Sequence, residues 1–143
     1  MQRAAQVERL RDLHVEAASR EARAKDADES ERRGPFAWTP RPRSAVLVGD
    51  FNFRPDDPLH ARLRAPFDAG VPAFRDAWAI VRPGEPHAPT LGLYDKAQWP
   101  GDPFTTDFVF VTDDLAGRVE AVTVNDRTEA SDHQPLLLRM RDG

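Results

Sequence analysis

The chain has 143 residues, the size of one ordinary domain, and its hydrophobic content of 40% is enough to build a core. It contains no cysteine, which excludes a disulfide scaffold, a thiol nucleophile and every cysteine-based zinc site. The net charge of −4 lies entirely in residues 34–143, because residues 1–33 carry eight basic and eight acidic side chains, and this balance argues against a large nonspecific nucleic-acid surface.

No stretch approaches the run of about 20 apolar residues that a membrane helix needs. The opening residues, MQRAAQVERLRDLHVEAASREAR, also lack the apolar centre of a signal peptide. We therefore expect no membrane span, and we expect a cytoplasmic protein if Met1 is the true start of the chain.

Residues 1–33 are predicted to form one long helix. Its core-facing positions follow steps of three and four residues, at Val7, Leu10, His14 and Ala17. The dipeptide Gly34-Pro35 ends the helix, and residues 34–43 form an extended, proline-rich linker. Two aromatic side chains of this linker are candidate packing anchors, Phe36 and Trp38.

Four segments are predicted to be strands, namely residues 44–48, 107–111, 119–124 and 135–140. The first is continuously apolar, a pattern typical of a strand that is buried on both faces. Before the second strand we expect a turn at 55–58, a short helix within 58–68 and a helical or strand segment at 74–78. Residues 82–104, with five prolines and three glycines, are predicted to form a long ordered loop. This layout indicates a mixed α/β fold whose C-terminal half is mainly antiparallel.

Polar side chains of catalytic type stand where the predicted strands begin or end. They are Asp50 and Asn52 after the first strand, Asp107 at the start of the second, and Asp132 and His133 before the last. Such positions suit an active site at one edge of a sheet, since rigid strands hold the groups while loops leave them open. Each residue also has an ordinary alternative: a turn or cap for the first three, a solvated loop for Asp132 and a core histidine for His133.

The remaining histidines and tryptophans are weaker candidates. His14 is predicted to be structural, on the core edge of the first helix, and His60 to be exposed in a polar segment. His87 lies in the long loop, from which it could approach a substrate. The tryptophans are predicted to pack rather than to stack on a ligand: Trp38, Trp78 and Trp99.

Three strings occur in a fixed order: VLVGDFN at 46–52, TDFVFV at 106–111 and SDHQP at 131–135. They resemble the G-D-F-N motif, the D-Y/F-hydrophobic strand and the S-D-H-x-P motif of the endonuclease/exonuclease/phosphatase superfamily, which has the DNase-I-like fold. The stretches at 76–78 and 89–91 are similar to its D-x-W and P-T-F segments. The resemblance extends from the opening helix to the last strand.

The resemblance implies an incomplete domain. The superfamily's fold is a two-layered α/β sandwich flanked by helices, and domains of this type have about 200–250 residues. Residues 1–143 are therefore expected to be the C-terminal portion of one such domain: a helix at 1–33, a linker at 34–43, and the sheet and active-site loops at 44–143. The N-terminal half, with an Asn and a metal-binding Glu, is missing. Thr105-Thr106 also replace the Arg-Ile of many members.

The resemblance also implies a mechanism, which is metal-dependent hydrolysis of a phosphodiester or phosphomonoester by activated water. Asp50 would orient and deprotonate the water, and Asn52 would hydrogen-bond the phosphoryl oxygens or that water. His133 would stabilise charge in the transition state, with Asp107 holding its tautomer. Asp132 and Asp50 are the expected ligands of Mg²⁺ or Mn²⁺, which prefer hard oxygen donors.

Several alternatives stay open. The substrate could be a nucleic acid, a phospholipid or a small phosphate ester, although the long loop carries only Arg82 and Lys96 as basic residues, which argues against a deep polynucleotide groove. An isolated fragment without the missing Glu is expected to be inactive. A catalytically inactive half-domain that binds or assembles is therefore the alternative function. A single sheet of the sandwich is expected to expose its inner apolar face, including parts of the strands at 45–48, 107–111 and 135–140. Such a face would favour self-association or a complementary N-terminal half.

Overall fold

The computed structural model describes residues 2–26, 42–68 and 70–142. The helices are α1 (Gln2–Asp26), α2 (Pro58–Arg64), α3 (Ala77–Val81) and α4 (Asp113–Ala116). The strands are β1 (Val46–Asp50), β2 (Phe74–Asp76), β3 (Asp107–Thr112), β4 (Val119–Val124) and β5 (Leu136–Met140). The end of the predicted first helix, at 27–33, and the predicted anchors Phe36 and Trp38 lie outside the described residues.

The strands form two small antiparallel sheets, as predicted for the C-terminal half. One sheet has the order β1-β3-β2 and the other pairs β4 with β5. In the register of the first sheet, Val46 lies opposite Val111 and Asp50 lies opposite Asp107. The last residue of β1 and the first residue of β3 are therefore direct neighbours.

Strand β3 supplies side chains to two separate cores, because successive residues of a strand point to opposite faces of the sheet. Phe108 and Phe110 pack with side chains of α1, α2 and β2. Val109 and Val111 pack with α3 and with the β4–β5 hairpin. The expected exposure of this strand's apolar residues was therefore wrong, since both of its faces are covered.

Strand β1 was predicted to be buried on both faces, and this prediction is also wrong. The side chain of Val48 is 63% exposed and that of Val46 is 44% exposed. Within the described residues β1 pairs only with β3, so its other edge and part of one face meet solvent. On the second sheet Leu137 is likewise exposed. The expectation of exposed apolar strand surface thus holds for β1 and β5.

Helix α1 packs on the first core through its predicted core-facing positions and through one residue of its polar face. Arg11 is buried, and its guanidinium donates hydrogen bonds of 2.7–3.2 Å to backbone carbonyls. The acceptors are Arg62, Leu63, Ala65 and Pro66. These carbonyls stand at the C-terminal end of α2, where backbone oxygens lack partners within the helix. Arg11 therefore joins α1 to the end of α2.

The region between β1 and β3 follows the sequence prediction closely. The turn at 55–58 leads into α2, where the Asp57 side chain accepts a hydrogen bond from the Leu59 amide and caps the helix. The segment at 74–78 contains both β2 and the start of α3. Residues 82–104 hold no helix or strand, and the short helix α4 was not predicted. No helix in the described ranges has the length and apolarity needed to cross a bilayer.

Candidate active site

Three parts of the chain meet at the end of the β1–β3 pair. Asp50 and Asp107 face each other across the two strands. The segment before β5 reaches the same place because Leu91 forms one antiparallel bridge with Phe104 and another with His133. The backbone amide of Gln134 also donates to the backbone carbonyl of Thr90 at 2.7 Å. This arrangement brings His133 beside Asp107.

The imidazole of His133 is paired with the carboxylate of Asp107. Its Nδ1 lies 2.9 Å from Asp107 Oδ2. A carboxylate on Nδ1 selects the tautomer and the orientation of the ring, and it leaves Nε2 as the nitrogen that can contact a substrate. The side chain of His133 is 32% exposed, so the ring is reachable from solvent.

The hydroxyl of Thr90 hydrogen-bonds the carboxylate of Asp107. Its hydroxyl donates to Asp107 Oδ2 at 2.7 Å, and its oxygen accepts from the backbone amides of Thr106 and Asp107. Thr90 is fully buried, so these bonds are shielded from water. Sequence reasoning missed this role, although the P-T-L string at 89–91 was the signal that could have indicated it.

Charge around His133 favours its protonated form. Burial disfavours the imidazolium, but the hydrogen bond to Asp107 and its negative charge, with the charges of Asp50 and Asp132, raise the pKa of His133 above its ordinary value. The Asp107 contact therefore favours His133 as a hydrogen-bond donor.

Asp50 and Asn52 form a local unit. The backbone amide of Asn52 donates to Asp50 Oδ1 at 2.8 Å, and the side-chain Nδ2 of Asn52 donates to Asp50 Oδ2 at 2.9 Å. Asn52 has φ 54°, in the left-handed region where asparagine is among the few tolerated side chains. This turn holds both carboxylate oxygens of Asp50 while leaving the group exposed.

Asp132, the residue before His133, contacts Trp99. Trp99 Nε1 donates to Asp132 Oδ2 over 3.4 Å, a long hydrogen bond. The Ser131 hydroxyl accepts from the His133 amide and so shapes the turn that carries both residues. Trp99 also packs against Phe104, as predicted, with ring centroids 5.7 Å apart.

The residues present fit a hard divalent cation in chemistry. In the described ranges no three His, Asp or Glu side chains form a metal-binding group. The two carboxylates beside His133, Asp50 and Asp132, are nevertheless the donor type that Mg²⁺ prefers. This ion commonly takes one or two protein carboxylates and completes its shell with water and substrate phosphate.

A second histidine–carboxylate pair lies in the core. His60 was predicted to be exposed, but its side chain is 6% exposed and its Nε2 lies 2.9 Å from Asp76 Oδ2. The prediction was wrong because His60 shares the inward face of α2 with Leu63 and packs against Phe108. The other Asp76 oxygen caps α3 by accepting from the Trp78 amide. This pair is structural.

His87 and His14 also serve packing. His14 is buried, with Nε2 2.9 Å from the Pro72 carbonyl, in agreement with its predicted role. The His87 ring stacks on Trp78, with centroids 4.5 Å apart. Its Nδ1 donates to the Ala88 carbonyl at 2.8 Å, while its Nε2 is buried without a partner among the described residues.

We expect acid to destabilise the protein through His87. Burial lowers the pKa of His87 below its ordinary value, although the Ala88 carbonyl and Asp76 oppose the shift. The unfolded chain therefore takes up a proton first, so this contribution to stability is present above about pH 6.5 and is lost as the pH falls. Thermal melts of wild type and His87→Phe between pH 8 and pH 5 check this. The variant's melting temperature should depend less steeply on pH, and identical slopes would contradict the assignment.

The sequence matches the model of a known protein family. The model of the endonuclease/exonuclease/phosphatase family matches residues 5–133, which include all of the site residues described above. No curated protein matches the sequence significantly. Proteins of this family hydrolyse phosphate esters, usually with a divalent metal ion. Because the match spans most of the chain, the chain belongs to the endonuclease/exonuclease/phosphatase family.

Proposed function

We propose that this protein is a metal-dependent phosphoesterase that hydrolyses a phosphodiester or phosphomonoester with an activated water. One observation carries the proposal: the His133–Asp107 pair lies beside a separate carboxylate, Asp50, at one edge of the sheet. An imidazole that donates through Nε2 and an exposed carboxylate supply the two opposite functions that phosphoester hydrolysis needs, a donor to the phosphoryl oxygens and a base for water.

Asp50 is the proposed base. It orients the attacking water and accepts its proton, and its exposure gives that water access. Asn52 restricts rotation of the carboxylate through its amide and Nδ2 contacts. A carboxamide nitrogen has two hydrogens, so Nδ2 keeps one for a phosphoryl oxygen of the substrate.

His133 is the proposed donor to a non-bridging oxygen. Asp107 holds the ring through Nδ1, and Thr90 in turn holds Asp107. Because these partners are set before substrate binds, the donor needs little reorganisation in the transition state. Thr90 and Asp107 therefore act as positioning residues.

Asp132 and Asp50 would hold Mg²⁺ or Mn²⁺. When bound, the ion would polarise the phosphoryl group and offset the negative charge that surrounds it. The nearby acidic residues otherwise repel a phosphate, so metal dependence follows from the charge of the site.

A second candidate is a catalytically inactive half-domain that assembles with another polypeptide. The exposed edge of β1 favours this alternative, because an unpaired strand edge is a template for another strand. In the proposed enzyme the same edge pairs with a second copy or with a complementary N-terminal half, which completes the two-layered sandwich and supplies a further metal ligand. On this proposal the chain is the C-terminal portion of the domain and is inactive alone. Sedimentation as a compact, stable monomer would argue against either form of assembly.

The test is hydrolysis of p-nitrophenyl phosphate and bis(p-nitrophenyl) phosphate by the full-length protein, in which the proposed N-terminal half or second copy is present. We expect activity with Mg²⁺, none with EDTA, and a kcat about 10²–10³-fold lower in His133→Ala, as when one oxyanion donor is removed. His14→Ala is the control, since it removes a buried histidine outside the site and should lower the melting temperature but not kcat. Unchanged turnover in His133→Ala, or activity that survives EDTA, would overturn the proposal.

A further inference from the structure

Arg54 is an exposed arginine that stacks on the ring of Phe104. Its guanidinium carbon lies 4.5 Å from the centroid of the Phe104 ring. Within the described residues Arg54 forms no side-chain hydrogen bond and no ion pair, although its own carbonyl closes the turn to Asp57. The side chain is exposed. A stacked guanidinium keeps the N–H groups along its edge free for a ligand.

Two backbone bridges of the loop indicate how far the Arg54–Phe104 stack is from His133. Phe104 pairs with Leu91, and Leu91 pairs with His133. Neighbouring strands lie about 4.8 Å apart, so the backbone of Phe104 is about 10 Å from that of His133. Trp99 continues this row, since it contacts both Phe104 and Asp132. Arg54, stacked on Phe104, is therefore two strand spacings away from the segment that carries His133.

A cavity of about 300 Å³ opens at this position. Arg54 and Phe104 line it together with Asp56, and the prolines at 55, 86, 89 and 103 form much of its wall. Proline has a fixed φ, so such a wall is rigid before any ligand arrives. The volume is at the small end of ligand sites and suits a single compact group.

We infer that Arg54, held on Phe104, binds a second phosphate of the substrate while the first is hydrolysed at His133. The inference rests on the proposed function and narrows its substrate class to molecules with two phosphate groups. A guanidinium edge matches phosphate oxygens bidentately, which a lysine cannot do. Asp56 opposes the ligand by its charge, so the site depends on Arg54 as its cation. The second phosphate belongs either to the next linkage of a nucleic-acid strand or to a small bisphosphate.

Binding is measured by isothermal titration calorimetry on the full-length protein with Mg²⁺, at low temperature and over a time in which no probe is hydrolysed. The probes are thymidine 5′-phosphate, thymidine 3′,5′-bisphosphate and a tetrathymidylate strand. We expect wild type to bind one of the two polyphosphorylated probes about 10-fold more tightly than the monophosphate, the effect of one charge-assisted contact. Arg54→Ala should abolish this preference and Arg54→Lys should reduce it. Asp56→Asn should increase it.

Arg75→Ala is the matched control, because Arg75 is an exposed arginine that pairs with Asp113 at the opposite end of β3. It should keep the preference of wild type. Preference for the strand identifies a nucleic-acid phosphate, and preference for the bisphosphate identifies a small substrate. Equal affinities for all three probes, no binding of any probe, or a preference that persists in Arg54→Ala would each overturn the inference.

Hydrolysis of p-nitrophenyl phosphate, which has one phosphate, separates this inference from the proposed function. If wild type hydrolyses it but shows no preference for a second phosphate, only the Arg54 inference fails. If the preference depends on Arg54 while no phosphate ester is hydrolysed, the proposed activity fails and the phosphate-binding site stands.

Discussion

Asp50→Asn is expected to lower kcat by about 10²–10⁴-fold, the range measured for removal of a general base. Asparagine keeps the size of the side chain but cannot accept a proton from water at neutral pH. It can also accept only one of the two hydrogen bonds that Asn52 donates. Because Asp50 is exposed and fills no core, the melting temperature should change little.

The rate is measured with Mg²⁺ on the full-length protein, alongside thermal melts of each variant. Asp126→Asn is the matched control, because it makes the same exchange at an exposed aspartate in the connection between β4 and β5. Among the described residues, Asp126 is contacted only through its backbone carbonyl, which accepts a hydrogen bond from the Tyr94 hydroxyl. It should keep the wild-type kcat. If Asp50→Asn also turns over at the wild-type rate, Asp50 is not the base.

Asp76→Ala is expected to lower the free energy of unfolding by about 3 kcal/mol. The change removes the cap of α3, worth about 1 kcal/mol, and leaves His60 Nε2 buried without a partner, which costs about 1–3 kcal/mol. Urea titration followed by tryptophan fluorescence measures the loss. Trp78, two residues after the cap, donates its backbone amide to Asp76 and reports on this region.

Asp57→Ala separates the two contributions. Among the described residues, the Asp57 side chain caps α2 through the Leu59 amide and contacts no histidine side chain, so its loss should cost only about 1 kcal/mol. His60→Leu combined with Asp76→Leu should cost less than Asp76→Leu alone, because no buried donor is then left unpaired. Equal losses for Asp57→Ala and Asp76→Ala would show that the His60 contact contributes nothing measurable.

Local pattern was sufficient to predict the strands. The alternation at 119–124 is that of β4, and the apolar run at 107–111 lies within β3. The motifs also indicated which side chains could meet, and the structure brings Asp50, Asp107 and His133 to one edge. Their catalytic roles stay predictions.

Tertiary contacts explain where the predictions were wrong. No periodicity indicates that a charged residue such as Arg11 finds carbonyl partners on another helix. His60 is buried because Asp76, far along the chain, supplies its hydrogen bond. A continuous apolar run cannot by itself distinguish an edge strand from a central one, and this ambiguity produced the wrong burial for β1.

The central position of β3 has a consequence for biosynthesis. Among the described strands β1 and β2 pair only with β3, and both cores need its side chains. A ribosome releases β1 and β2 first, so their backbone groups have no strand partner until Asp107–Thr112 emerges. Such non-local pairing is slow and leaves nascent chains open to association. We therefore expect soluble yield in cells to respond strongly to chaperone capacity and to growth temperature.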